Sequence, residues 1–103
     1  MRTYRNLITW QKSIILVDRV HQITRNFPKI EKFGLAAQMQ RAATSIPSNI
    51  AEGYGRNATK EYVRFLRIAL GSVYELQTHI EIAHNLHYIV SGAYRNILEK
   101  QRR

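Results

Sequence analysis

The sequence of 103 residues contains no cysteine, only two prolines and only seven acidic side chains. The absence of cysteine excludes disulfide bonds and thiolate metal sites. No apolar run approaches the roughly 18 residues of a membrane-spanning helix, and the first residues lack the apolar segment of a signal peptide. We therefore expect a single domain over residues 1–103, cytoplasmic and without a membrane partner.

Positive charge is what the chain has in excess. Sixteen Lys and Arg side chains give a formal net charge of +9. Most of the excess falls in residues 1–32, in residues 54–67 and after residue 94, whereas residues 33–53 hold one base and one acid. Such a balance favours polyanionic partners, because binding releases the counterions that a polyanion condenses. A protein whose charge merely keeps it in solution would have the same composition.

The spacing of apolar residues predicts four helices, at about residues 6–26, 35–53, 59–87 and 91–101. In the third helix the apolar residues are separated by alternating steps of four and three residues, which is typical of a packed seam between helices. Because the connections are short, neighbouring helices should be antiparallel. The prediction is an all-α, up-down-up-down four-helix bundle with a short fourth helix. The seam residues are Tyr62, Leu66, Ala69, Val73, Leu76, Ile80, Ala83 and His87.

Individual residues predict where the helices end. Pro28 should stop the first helix, and Phe27 and Phe33 are expected to close that end of the bundle. Gly53 is expected to cap the second helix, since glycine adopts positive φ readily. Thr59 is a suitable cap for the third.

The second helix contains a run that is unusual for a helix. Pro47 would cost an isolated helix about 3 kcal/mol. The helical spacing of apolar residues nevertheless continues through it, so packing on both sides should hold this helix at the centre of the bundle. Short polar residues around the proline, Ser45, Ser48 and Asn49, are expected to compensate the broken backbone bonding.

The run from Ser45 to Gly53, together with Gln38, Arg41 and Arg56, resembles the signature of the four-helix-bundle proteins first noted as 23S ribosomal RNA intervening-sequence proteins. The accessory proteins of diversity-generating retroelements are related to that family. The likeness spans nearly the whole chain. It implies a homopentamer with a basic outer surface, although members usually carry a full fourth helix and this chain reaches Arg103 soon after that helix begins.

A set of residues is assigned to the structural motif or to contacts between protomers. Phe65 belongs to it because it lies off the seam, and Gly71 because a glycine within a helix suggests the close approach of another backbone. By resemblance, the motif residues could equally serve ligand contacts. The set is Gln38, Ser45, Pro47, Ser48, Asn49, Glu52, Gly53, Phe65 and Gly71.

Catalytic and metal-binding patterns are weak. The serines do not follow a strand, so they do not form a nucleophile elbow. Glu81 and His84 have the Glu-x-x-His spacing of di-iron bundles, but the first two helices add only Asp18 and Glu52 as further carboxylates. We expect no enzymatic activity, no cofactor and no metal. A metal-dependent enzyme using Glu81 and His84 is the third and last hypothesis.

Polyanion binding is the best-supported activity. Lys60, Arg64 and Arg67 lie at i, i+4 and i+7 and so share one face of the third helix. Arg56 lies in the adjoining turn, and Arg41 on the second helix completes the candidate set. We therefore predict a non-enzymatic, oligomeric protein that binds nucleic acid, RNA more than DNA, or serves a ribonucleoprotein. The alternative is a protein–protein scaffold, such as an accessory subunit of a reverse transcriptase, without direct nucleic-acid contact.

Overall fold

A computed structural model describes residues 2–90, which form helices and turns and contain no strand. The all-helical class is thereby confirmed for this part of the chain. The fourth helix predicted at 91–101 lies outside the described residues. In chain order the elements are a 3-10 turn at Tyr4–Asn6, α1 at Ile8–Thr24, a second 3-10 turn at Lys29–Glu31, α2 at Leu35–Gly55 and α3 at Thr59–Asn85.

The second helix lies between the other two. α2 packs against both α1 and α3, whereas α1 and α3 make far fewer contacts with each other. On α2 and α3, Ser45 meets Ser72 and Gly53 meets Phe65, so residue numbers rise along one helix as they fall along the other. These two helices are therefore antiparallel, and the predicted central position of α2 is confirmed.

The predicted seam of α3 forms the core over most of its length. Leu76 and Ile80 have no exposed surface, and Ala69 and Ala83 are buried beside them. They pack with fully buried residues from the other helices, of which Met39 in α2 is the largest. The seam ends earlier than expected, because His87 lies beyond α3 with φ of 64°.

Pro47 is buried in the interior of α2, and the helix continues through it. Its missing N–H leaves the carbonyl of Ala43 without the usual donor. The Ser48 hydroxyl donates instead to the carbonyl of Thr44 at 2.9 Å, the residue next to Ala43. The Ser48 hydroxyl bond therefore lies beside the break and does not replace the lost bond.

The turn between α2 and α3 differs from the prediction at both helix ends. α2 continues past Gly53, which keeps a helical backbone, and Asn57 adopts the left-handed conformation with φ of 54°. A Cβ on Gly53 would lie 2.7 Å from the Cβ of Phe65. The glycine is therefore required by the close approach of α3 and not by a cap. Ala58, not Thr59, is the N-cap of α3.

At the opposite end of the molecule, one of the two expected aromatic residues closes the bundle. Phe27 is buried and its ring centroid lies 5.3 Å from that of Tyr88, which follows α3. Phe33 is 87% exposed, so the expectation that it closes the end was wrong. Tyr88 occupies that role because its hydroxyl bonds to Glu31 in the intervening turn.

Candidate nucleic-acid interface

The solvent-facing side of α3 carries the predicted basic residues. Lys60, Arg64 and Arg67 are all exposed, and the helical rise places them about 6 Å and about 4.5 Å apart along the axis. Arg56, at the C-cap of α2, stands at the adjoining turn. We call these four residues the basic α3 face.

Two of these arginines cover the ring of Phe65. The guanidinium carbons of Arg56 and Arg64 lie 5.1 and 4.7 Å from its centroid, within the range of cation–π attraction. Phe65 itself is only 7% exposed, because Gly53 lets it enter the contact between α2 and α3. The two guanidinium groups are thus fixed to the fold by a buried aromatic ring.

The same two arginines also pair with acids. Arg56 bonds to Glu52 at 3.1 Å and Arg64 to Glu61 at 2.9 Å. The hydrogen bond from Arg64 lowers the pKa of the Glu61 carboxyl below its ordinary value. The charges within each of these two pairs therefore cancel. The excess of basic over acidic residues in the sequence does not suggest that these arginines are paired.

Lys60 and Arg67 differ from their two neighbours. Neither forms an ion pair with a residue in the described part of the chain. A ligand can therefore bind Lys60 and Arg67 without breaking a salt bridge, which is not the case for Arg56 and Arg64.

The beginning of α3 adds a further positive feature beside Lys60. No side chain caps this end of the helix, and the first internal backbone bond runs from the N–H of Tyr62 to the carbonyl of Ala58. The uncapped N–H groups carry the positive end of the helix dipole, although Glu61 in the first turn offsets part of it. An anion is favoured at this position.

Arg41 lies apart from the basic α3 face. It precedes Arg56 by 15 residues on α2, which is about 22 Å along the helix axis. The structure therefore brings together four of the five predicted nucleic-acid contacts and leaves Arg41 on another surface. That surface, which we call the motif face, consists of the α2 residues Gln38, Arg41, Ser45, Ser48, Asn49 and Glu52.

The centre of the motif face is joined to α3 by a small polar network. Asn49 Nδ2 donates to the hydroxyl of Ser45 at 2.9 Å, and the hydroxyl of Ser72 donates to the same oxygen at 2.8 Å. Sequence reasoning missed Ser72. The signal that could have found it is a small polar residue near the middle of each helix, Ser45 on α2 and Ser72 on α3, because antiparallel packing places the two midpoints opposite each other.

The remaining motif residues serve different purposes. Pro47 and Gly53 face the interior, whereas Gln38, Ser48 and Glu52 are exposed. No atom of the described residues lies within 4 Å of a Cβ built on Gly71, which is exposed. The close backbone approach expected at Gly71 therefore does not occur among the described residues of one chain.

The described residues contain no group of three His, Asp or Glu side chains that could hold a metal ion. The Nδ1 atom of His79, buried on α3, has no hydrogen-bond partner among residues 2–90. Within residues 2–90, none of the helices is both long and apolar enough to cross a membrane.

Comparison with known proteins gives the family of the chain. The search of the curated proteins finds no match. The family model described as 23S rRNA-intervening sequence protein matches residues 5–103. This span includes the three helices, the basic α3 face and the motif face. The chain therefore belongs to the 23S rRNA-intervening sequence protein family.

Proposed function

We propose that this protein is a non-enzymatic RNA-binding protein that contacts RNA through the basic α3 face. The observation that carries the proposal is a pair of exposed cations on one helix face, Lys60 and Arg67, neither of which forms an ion pair with a described residue. Arg56 and Arg64 stand beside them, and the uncapped start of α3 adds backbone donors. Several phosphates of one strand can be contacted together by such a surface, with release of their counterions.

The contacts should be made to the phosphate backbone rather than to bases. Tyr54 and Tyr62 pack edge to face against each other, with ring centroids 6.2 Å apart, and Phe65 is buried. Tyr74, which is 59% exposed, lies about two turns beyond Arg67 on α3, so the cations and not a row of rings dominate this surface. RNA is preferred over DNA in this proposal because of the family's association with ribosomal RNA. Such a ligand implies a cytoplasmic protein.

The experiment is a salt titration of binding to a structured RNA and to duplex DNA. Wild-type affinity should fall steeply as salt rises, and the double reversal Lys60→Glu/Arg67→Glu should lower it roughly tenfold to a hundredfold at low salt. Far-UV circular dichroism should show an unchanged helix content, because both side chains are exposed.

The matched control is Lys12→Glu/Arg25→Glu, which makes the same change in net charge on exposed positions of α1 and its C-cap. If the control loses as much affinity as the α3 reversal, binding depends on net charge and not on the basic α3 face. Absence of wild-type binding at low salt would contradict the proposal.

A second proposal concerns assembly through the motif face. The Ser45–Ser72 network lies beside Ile68, which is 41% exposed, and Arg41 on the same side forms no ion pair with a described residue. A surface that mixes apolar, small and charged groups suits contact with another protein. A homopentamer is the assembly that the family resemblance favours, and Gly71 could then approach a neighbouring backbone.

The assembly proposal also includes the scaffold alternative. An oligomer that binds no nucleic acid would instead hold a protein partner, such as the reverse transcriptase of a diversity-generating retroelement. The mass of the purified protein in solution tests this assembly. A pentamer supports it, and a monomer at micromolar concentration would contradict it.

A further inference from the structure

The connection between α1 and α2 presents two large apolar side chains to solvent. Ile30 is 86% exposed and Phe33 is 87% exposed, more than any other large hydrophobic residue in the part of the chain that is described. Lys29 and Lys32 stand beside them, and both are exposed. We call these four residues the tip.

The backbone of this turn places the two lysines together. The N–H of Lys32 donates to the carbonyl of Lys29 at 3.1 Å, which is a 3-10 bond, and side chains three residues apart lie on the same side of a 3-10 turn. The Nζ atom of Lys32 also lies 5.5 Å from the centroid of the Phe33 ring. The tip therefore combines two neighbouring positive charges with an adjacent exposed ring.

The acid of the turn is held away from the tip. Glu31 accepts the N–H of Leu35 at 3.1 Å through one oxygen and the hydroxyl of Tyr88 at 3.0 Å through the other. The carboxylate thus caps α2 and anchors the turn to the end of α3. The tip consequently presents only apolar and positively charged groups, on a backbone fixed at both sides.

We propose that the tip binds the surface of an anionic lipid bilayer, with Ile30 and Phe33 entering the boundary between headgroups and acyl chains. The expectation of no membrane partner rested on the lack of a membrane-spanning run and of a signal peptide in the sequence, and neither is needed for such binding at the bilayer surface. Lysines beside exposed apolar groups complement anionic headgroups, and the two kinds of contact reinforce each other. Two side chains are too small a patch for a stable protein–protein interface, which needs about 800 Å² on each partner. A bilayer requires no matching shape, so a small tip suffices for reversible binding.

The test is flotation of the full chain with phosphatidylcholine vesicles that contain either no anionic lipid or a third phosphatidylglycerol. Wild type should float with the anionic vesicles and far less with the neutral ones. Ile30→Ala/Phe33→Ala should lose at least tenfold in partitioning. Lys29→Gln/Lys32→Gln should lose about fivefold per lysine, on anionic vesicles only.

The matched control is Ile8→Ala/Ile15→Ala, which removes two exposed isoleucines from α1. It should float like wild type. The proposal is overturned if wild type does not float with anionic vesicles at low salt. It is equally overturned if the tip variant binds as well as wild type, because the net charge alone would then explain binding.

Discussion

Phe65 and Phe33 lie at opposite ends of the molecule and have opposite environments. Phe65, near the start of α3, is 7% exposed and has the guanidinium groups of Arg56 and Arg64 over its ring. Phe33, between α1 and α2, is 87% exposed, and the ammonium of Lys32 lies 5.5 Å from its ring centroid. Both rings have cations beside them, yet the ring of Phe65 is part of the buried contact between helices and the ring of Phe33 is not.

The difference arises from what faces each ring. At one end, Gly53 has no side chain, so α2 and α3 approach closely enough to bury Phe65 between them. At the other, Tyr88 fills the space beside Phe27 and its hydroxyl holds Glu31, which leaves Phe33 outside. Basic residues near an aromatic ring therefore have different environments at the two ends. At Phe65 the arginines contact a buried ring, and at Phe33 the lysine and the ring are both exposed to solvent.

The largest expected effect separates the two rings directly. Phe65→Ala should lower the free energy of unfolding by about 3 kcal/mol, because it removes a buried aromatic side chain and leaves a cavity under two arginines. Phe33→Ala should change it by no more than about 0.5 kcal/mol. Urea unfolding followed by circular dichroism measures both. Equal losses in the two variants would contradict the comparison.

A smaller effect tests the role of Gly53. Gly53→Ala would place a Cβ 2.7 Å from that of Phe65 and 3.2 Å from the Tyr62 ring, so overpacking should cost about 1–3 kcal/mol despite the better helix propensity of alanine. Gly55→Ala is the control, since nothing lies within 4 Å of its added Cβ. The control should be neutral or slightly stabilising. A stabilised Gly53→Ala protein would mean that the helices do not approach as described.

The smallest effect concerns the anchor of the tip. The hydrogen bond to Glu31 raises the pKa of the Tyr88 hydroxyl above its ordinary value of 10.0. A pKa raised on folding contributes stability that is complete below the unfolded-state pKa, near 10, and is lost as pH rises through the folded-state pKa. Wild type should therefore lose more stability than Tyr88→Phe between pH 9 and pH 11. Parallel curves for the two proteins would show that the hydrogen bond does not form.

Much of this fold could be predicted from periodicity. The start of α2 at Leu35, the start of α3 at Thr59 and the buried seam from Ala69 to Ala83 follow from local spacing, because a helix repeats its packing every three or four residues. The face shared by Lys60, Arg64 and Arg67 follows from the same repeat. These features need no information from distant parts of the chain.

What could not be predicted depends on contacts between distant residues. The bundle end that excludes Phe33 is closed by Phe27 and Tyr88, and Tyr88 bonds to Glu31, 57 residues away in the sequence. The need for glycine at position 53 is set by Phe65 on another helix, so a local argument misread it as a cap. The position of Arg56, at the end of α2, over the ring of Phe65 on α3 likewise requires the tertiary register, which composition and spacing do not contain.

The central claim is that Lys60 and Arg67 bind RNA phosphates while Arg56 and Arg64 are occupied by the fold. It is tested most directly by the slope of log affinity against log salt for a structured RNA, compared between wild type and Lys60→Gln/Arg67→Gln. Loss of two phosphate contacts should reduce the slope by about 1.4–1.8, with unfolding unchanged. The control Lys12→Gln/Arg25→Gln should keep the wild-type slope. A slope that is the same in wild type and in Lys60→Gln/Arg67→Gln would contradict the account.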